Sequence, residues 1–289
     1  MPAEKVVHTS DGPALAVHDF GGHGPDLLLA HATGLHGLVW APVVEHLTRS
    51  FRCVSFDERG HGDSGRPPGG DFHWRGFAAD ALAVVDALGL DRPYGVGHSC
   101  GGAALLLAEE NRPGTFSALW CYEPVVLPVD VGPGSPAGPD PTGDNDLAAG
   151  ARRRRERFPS RTDAYRNFAA KPPFDRVAPA ALHAYVDHGF SEDADGSVVL
   201  KCRPDDEAET YVHSRTHDAY ARLGRVRCPV TLVWGEATDS PFGSATLEAL
   251  AARLAAGRVE AAPRLGHFGP LEDPVAVARS IRSALGSTS

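Results

Sequence analysis

Pro93-Tyr94-Gly95-Val96-Gly97-His98-Ser99-Cys100-Gly101-Gly102 is the stretch whose reading decides the fold. Residues 94–97 read as a short buried strand, and residues 102–111 (GAALLLAEEN) carry apolar side chains suited to a packed helix. Between them a serine has glycine two residues before it and two residues after it. A strand that turns sharply into a helix forces its corner residue into strained angles, so the neighbours must be nearly without side chains. Gly97 and Gly101 meet that need, and Gly102 lets the helix approach the sheet. A bare Gly-x-Ser-x-Gly run is often only a glycine-rich connection; here the flanking strand and helix supply the required context. The turn lifts the Ser99 hydroxyl out of the sheet edge as a candidate nucleophile. It also leaves the Cys100 N–H at a helix N-terminus, where partial positive charge favours an oxyanion.

Working outward, short apolar runs alternate with helical ones, which predicts a mostly parallel, eight-stranded sheet with helices on both faces. Strands are expected over 5–9 and 14–19 around a turn at Asp11-Gly12, then over 26–31, 51–56, 94–97 and 117–122. Helices are expected near 40–49, over 77–88 and over 102–111. Residues 124–141 are rich in Pro, Gly and Asp and read as an irregular excursion. From 146 to 223 the pattern is polar, arginine-rich and helical, without a convincing core strand. Alternation resumes with a strand at 230–234, a helix at 244–255, a strand at 258–262 and a helix at 274–285. The expected division is therefore a core of residues 1–124 and 223–289 with a helical cap of 125–222 over the carboxyl ends of the strands. Ligands bind at that edge in open α/β sheets.

The chain has 289 residues, of which 42% are hydrophobic, enough to bury a full α/β core. Its 28 basic and 37 acidic residues give a formal charge of −9, which argues against nucleic acid or an anionic membrane as the main partner. The five cysteines are scattered with no C-x-x-C pair, as suits free thiols in a reducing compartment. The first residues have no apolar segment of signal-peptide type, and no run approaches a membrane span. A cytoplasmic protein acting on a small molecule is expected. No H-x-H, H-E-x-x-H or phosphate-binding glycine loop is present, so neither metal nor cofactor is implied.

Four ordered blocks resemble the α/β-hydrolase superfamily: LLLAHATG (27–34), FDERGHGDSGRP (56–67), GVGHSCGG (95–102) and LGHFGPLEDP (265–274). The resemblance covers nearly the whole chain and is weakest in the insert. It implies the α/β-hydrolase fold and a serine hydrolase in which Ser99 is the nucleophile. The superfamily places a second oxyanion N–H in a His-Gly-x turn; here the turn reads His31-Ala32-Thr33-Gly34, so Thr33 N–H is the candidate donor beside Cys100 N–H. The base is a histidine on a late loop at the same sheet edge, and His267, between Gly266 and Gly269, fits it. His31, His61 and His98 also lie near the site by sequence and read as loop braces.

The acid is contested. The usual position follows the strand at 230–234, but Gly235-Glu236-Ala237-Thr238 puts threonine there, and Asp239 comes one residue late. Some superfamily members, including a subset of haloalkane dehalogenases, place a glutamate at the end of the preceding strand, where this chain has Glu123-Pro124. Glu123 is the favoured acid because a carboxylate buried there needs a partner; Asp239 is the alternative, and Glu236 a weaker one. Asp57 and Arg59 read as structural, and Arg152 to Arg155 with Arg157 as a solvated helix face in preference to an anion site.

A Ser-His-acid set implies attack on a carbonyl through an acyl-serine, so esters, lactones and thioesters fit. Dehalogenation and epoxide opening use an aspartate nucleophile in this superfamily, and Ser99 argues against both. A C–C bond hydrolase of diketone-type substrates, a cofactor-free perhydrolase or haloperoxidase, and a non-catalytic ligand-binding protein remain as alternatives. Aromatic residues in the insert suit an apolar pocket for a small or medium organic group.

Overall fold

The protein is seen in a computed structural model that describes residues 2–9, 12–128, 145–239 and 241–286. Asp11 of the expected opening turn and residues 129–141 of the expected excursion lie outside them. The chain opens with β1 (Ala3–His8), β2 (Ala14–Gly22), β3 (Asp26–Ala30), a short α1 (Ala41–Val44), β4 (Arg52–Phe56) and α2 (Trp74–Ala87). It continues through β5 (Tyr94–His98), α3 (Cys100–Asn111) and β6 (Leu119–Tyr122). An insert follows with α4 (Asp146–Arg152), β7 (Arg157–Phe158), α5 (Arg161–Ala169), α6 (Pro179–His188), β8 (Phe190–Glu192), β9 (Val198–Leu200), α7 (Pro204–Val212) and α8 (Ala219–Arg222). The last elements are β10 (Val230–Gly235), α9 (Ser244–Ala251), β11 (Gly257–Ala262), α10 (Gly269–Glu272) and α11 (Pro274–Leu285).

The main sheet has eight strands in the order β1-β2-β4-β3-β5-β6-β10-β11. β2 pairs antiparallel with β1 and β4, and the other pairings are parallel. Alternation along the strands sorts the side chains into two apolar clusters. Leu28, Ala30, Val54 and Phe56 join α2, α3 and α9 on one face. Leu27, Leu29 and Cys53 join α1 and α11 on the other. A strand apolar on both sides needs cover on both sides, which is why helices flank the sheet. Burying a side chain such as Phe77 or Ile281 contributes about 2–3 kcal/mol. The five cysteines are free and buried.

The structure corrects two expectations. The helix expected near 40–49 is regular only over Ala41–Val44, because the next turns tighten: His46 N–H donates to Val43 O and Leu47 N–H to Val44 O. The insert, expected to be helical without a core strand, adds no strand to the main sheet among the described residues but carries a small sheet of its own in the order β7-β9-β8. Its strands have two or three residues each, too short to show a period, and β8 and β9 are joined by a turn in which Gly196 has φ +79°. Strands of the main sheet come from before and after the insert, so β6 and β10 are neighbours in space although the insert separates them in sequence.

Candidate active site

Ser99 sits at the corner between β5 and α3 with φ 53° and ψ −114°. Holding a residue with a side chain there costs about 1–3 kcal/mol, and the surroundings enforce it. A Cβ on Gly97 would lie 2.5 Å from Gly102 Cα, and one on Gly101 would lie 2.5 Å from the Ala30 carbonyl. Only glycine lets these backbones meet. The Ser99 N–H donates to Tyr122 O at 2.9 Å, while Ser99 O accepts from Ala103 N–H and from Val125 N–H at 3.2 Å. Val125 O in turn accepts from His217 Nε2 at 3.0 Å. Ser99 is 7% exposed and opens into a cavity of about 1170 Å³, which Thr33, Gly34, His267 and Asp239 also line.

His267 stands on the loop between β11 and α10. Its Nδ1 lies 2.6 Å from Glu123 Oε2, and Glu123 is fully buried while the imidazole remains partly open to the cavity. Glu123 has φ 42°, an angle that turns its carboxylate off the end of β6. Its Oε1 accepts Gly235 N–H at 2.9 Å, and its Oε2 also accepts the Thr238 hydroxyl at 3.2 Å. The threonine at the usual acid position thus helps hold the glutamate from the neighbouring strand. Asp239 lines the cavity as an exposed side chain, and Glu236 is exposed beside it. Sequence could not reveal that Tyr122 braces the base loop: its hydroxyl donates to Gly266 O at 2.7 Å. An aromatic residue one position before Glu123 is the only hint in the sequence.

Thr33 lines the cavity and Cys100 opens α3; burial raises the Cys100 thiol pKa well above its usual value, with the Thr33 side chain acting against that rise. Gly101 N–H donates to His31 O at 3.1 Å, which ties the start of α3 to the turn bearing Thr33. The expected braces are in place. His31 donates from Nδ1 to Ala32 O at 2.8 Å and accepts Glu58 N–H at Nε2, 2.9 Å. Burial drives its pKa down to about 3, so it stays neutral and keeps both bonds. His98 Nε2 donates to His267 O at 2.7 Å, and burial holds that imidazole neutral as well. His61 Nδ1 lies 2.9 Å from Arg59 O. Asp57 accepts from Gly37 N–H, Asp63 N–H and His18, whereas Arg59 forks onto Asp80 at 2.7 and 2.9 Å. Burial raises the Asp57 pKa, but the hydrogen bond and charge of His18 outweigh it and hold it low.

The arginine run divides. Arg152 pairs with Glu209 and Arg157 with Asp193 at the surface, and Arg155 stacks over Phe158. Arg154 turns inward instead. It forms an ion pair with Glu207, donates to Tyr185 Oη at 2.6 Å and lines the cavity. The solvated-face expectation therefore fails for this residue, because α4 ends at Arg152 and Arg154 lies beyond its last turn, held by Glu207 and Tyr185.

Among the described residues no group of three or more His, Cys, Asp or Glu side chains is placed to hold a metal ion. No helix there is long and apolar enough to cross a membrane. A model of the "Alpha/beta hydrolase family" matches residues 27–280. The putative carbamate hydrolase RutD of Caulobacter segnis is 36% identical over 113 residues, which cover 38% of this chain and 42% of that protein. The pimeloyl-[acyl-carrier protein] methyl ester esterase of Methylococcus capsulatus is 35% identical over 99 residues, 34% of this chain and 36% of that protein. These matches span about two fifths of the relatives' length. Among solved structures, that of E-2-(acetamidomethylene)succinate hydrolase superposes with a TM-score of 0.83 at 20% identity, covering 99% of this chain and 100% of that one.

Proposed function

The chain belongs to the alpha/beta hydrolase family, and from that premise we propose that it is a serine hydrolase cleaving an ester, lactone or thioester of a small to medium organic substrate. Ser99 is the nucleophile, His267 the base, Glu123 the acid that orients it, and Thr33 and Cys100 N–H groups the oxyanion donors. The observation that carries this reading is the 2.6 Å contact between His267 Nδ1 and the buried Glu123 carboxylate, with His267 and Ser99 lining one cavity. With the Nδ1 proton given to Glu123, Nε2 is left as the acceptor and can take the Ser99 proton.

The hydroxyl oxygen attacks the carbonyl carbon while its proton passes to His267. Two backbone N–H groups hold the tetrahedral oxyanion, and collapse expels the leaving group with the proton from His267. Water, deprotonated by the same imidazole, then cleaves the acyl-serine. Residues 125–222 serve as the cap: Val125, Phe168, Phe174 and Tyr211 line the cavity and would shield the acyl group from water. The names of two relatives, a carbamate hydrolase and a methyl ester esterase, describe carbonyl-centred substrates. The buried free thiols suit the cytoplasm.

A fluorophosphonate probe followed by peptide mass spectrometry tests this reading. An adduct at Ser99, absent in Ser99→Ala, is expected; an unlabelled wild type sinks it. A screen of short p-nitrophenyl esters, lactones, thioesters and diketones then separates acyl hydrolysis from C–C cleavage.

A further inference from the structure

Arg154 has a place in this cavity that its neighbours in the run do not share. A guanidinium carries five N–H groups in one plane. Among the described residues Arg154 commits Nη1 to Glu207 and Nη2 to the Tyr185 hydroxyl, with its carbon 5.9 Å from the centre of the Phe168 ring. Burial works against its charge, but Tyr185 and Glu207 outweigh that and the pKa is raised. The ion pair is seated on the oxyanion turn itself. A Cβ on Gly34 would lie 2.8 Å from Glu207 Oε1 and 3.1 Å from Arg154 Nη1. Gly34 directly follows Thr33, and Thr33, Gly34, Arg154 and Glu207 line the cavity that Ser99 opens into.

A pair that merely tied α7 to the end of α4 would have no need to face this space. Its bland role as a brace also leaves the charge of the wall unexplained. The whole chain has 28 basic and 37 acidic residues, whereas among the described residues the cavity is lined by six Lys and Arg and five Asp and Glu. The described lining thus has nearly balanced charge, without the excess of acid that the whole chain carries. Arg153, Lys171 and Arg215 stand exposed in that lining, where they would attract an anion.

We propose that Arg154 is a specificity-determining residue that binds a carboxylate carried by the acyl part of the substrate, beside the oxyanion turn. The substrates are then acid-bearing esters, lactones or thioesters in preference to neutral ones. This rests on the reading of Ser99 as the attacking group. Glu207 and Tyr185 hold two corners of the guanidinium and so fix its plane, and a planar carboxylate matches the fork that remains. Glu207 opposes the incoming anion, so it sets the affinity as well as the geometry.

The test uses the full chain with Ser99→Ala, so that ligands bind without turnover. Calorimetric titration at low salt compares monomethyl succinate, which carries a carboxylate, with dimethyl succinate, which does not. The half-ester should bind about tenfold tighter or more, the worth of a charge-assisted pair. Adding Glu207→Gln should tighten the half-ester further by removing the opposing charge. Arg154→Gln alone strands Glu207 and invites misfolding, so the decisive variant is Arg154→Gln with Glu207→Gln, checked for folding by circular dichroism. In it the preference should shrink to within about threefold, since the charge pair is gone. Equal affinity for the two esters, binding of neither, or a preference that survives the double substitution overturns the proposal. Fluorophosphonate labelling of the unaltered protein reports separately on Ser99. A labelled protein without acid preference sinks this inference alone, whereas acid preference without labelling sinks the hydrolase reading alone.

Discussion

Replacing Glu123 by glutamine changes one atom of the buried site and should remove most of the activity. The side chain is fully buried, and its two oxygens have different duties. Oε1 takes the Gly235 N–H at 2.9 Å, and Oε2 takes His267 Nδ1 at 2.6 Å. The amide oxygen of a glutamine must stay on Gly235, because an NH2 there would oppose N–H to N–H and leave a buried donor unpaired, costing about 1–3 kcal/mol. The amide NH2 then faces Nδ1, which must become an acceptor. That puts the imidazole proton on Nε2, the atom that has to receive the proton of Ser99. The wrong tautomer, with loss of the charge that stabilises the imidazolium, corresponds to roughly four orders of magnitude in kcat. The assay is steady-state hydrolysis of a p-nitrophenyl ester by wild type, Glu123→Gln and Asp239→Asn, with thermal melts to confirm folding. Asp239→Asn should stay within about tenfold, since it leaves the orienting pair intact. If Glu123→Gln stays within that range and Asp239→Asn falls by orders of magnitude, the assignment of the acid is wrong.

Other outcomes follow from the same contacts. Tyr122→Phe removes one of the two donors to Gly266 O and leaves that carbonyl with the Gly269 N–H, a cost of about 0.5–1.5 kcal/mol. The base loop should loosen, lowering kcat roughly tenfold; an unchanged kcat would show that the loop is held without it. Gly34→Ala combines φ +77° with a Cβ 2.8 Å from Glu207 Oε1. It should lose roughly 1–2 kcal/mol, a drop of about 2–3 °C in Tm by calorimetry, and an unaltered Tm contradicts the crowding. Burial holds His31 near pKa 3, and His36 and His217 near 4, against about 6.5 in an unfolded chain. Below pH 6.5 the unfolded state takes up protons that the folded state refuses, so stability is lost as pH falls toward 4. Each imidazole contributes up to about 1.4 kcal/mol per pH unit in that window. The urea midpoint should therefore fall steadily from pH 6.5 to 4.5, and a flat midpoint would mean that these rings protonate in the fold.

The parts legible in the sequence were those fixed by short-range sterics. Gly97, Gly101 and Gly102 announce a corner because no other residue fits it, and the runs at 26–31 and 51–56 announce strands buried on both faces. The sequence left the acid open for a reason of register. Glu123 ends β6 and Asp239 follows β10, two strands adjacent in the sheet but separated by the whole insert in the chain. Sequence cannot say which of two neighbouring strand ends reaches a third loop. Thr238, a gap in the motif by sequence, donates to the Glu123 carboxylate. The inward turn of Arg154 was hidden in the same way, since four successive arginines look alike until the end of α4 is known.

The hydrogen-bond chain from His217 through Val125 to Ser99 constrains how this molecule can breathe. Val125 is where the insert departs from the sheet, and its N–H is anchored on the nucleophile's own carbonyl. A hinge at that point would drag the reacting group out of alignment with every opening stroke. The root of the insert is therefore tied to the sheet, and amide exchange at Val125 is expected to be as slow as in the adjoining strand. Any motion that opened the cavity without disturbing Ser99 would have to leave Val125 and His217 in place.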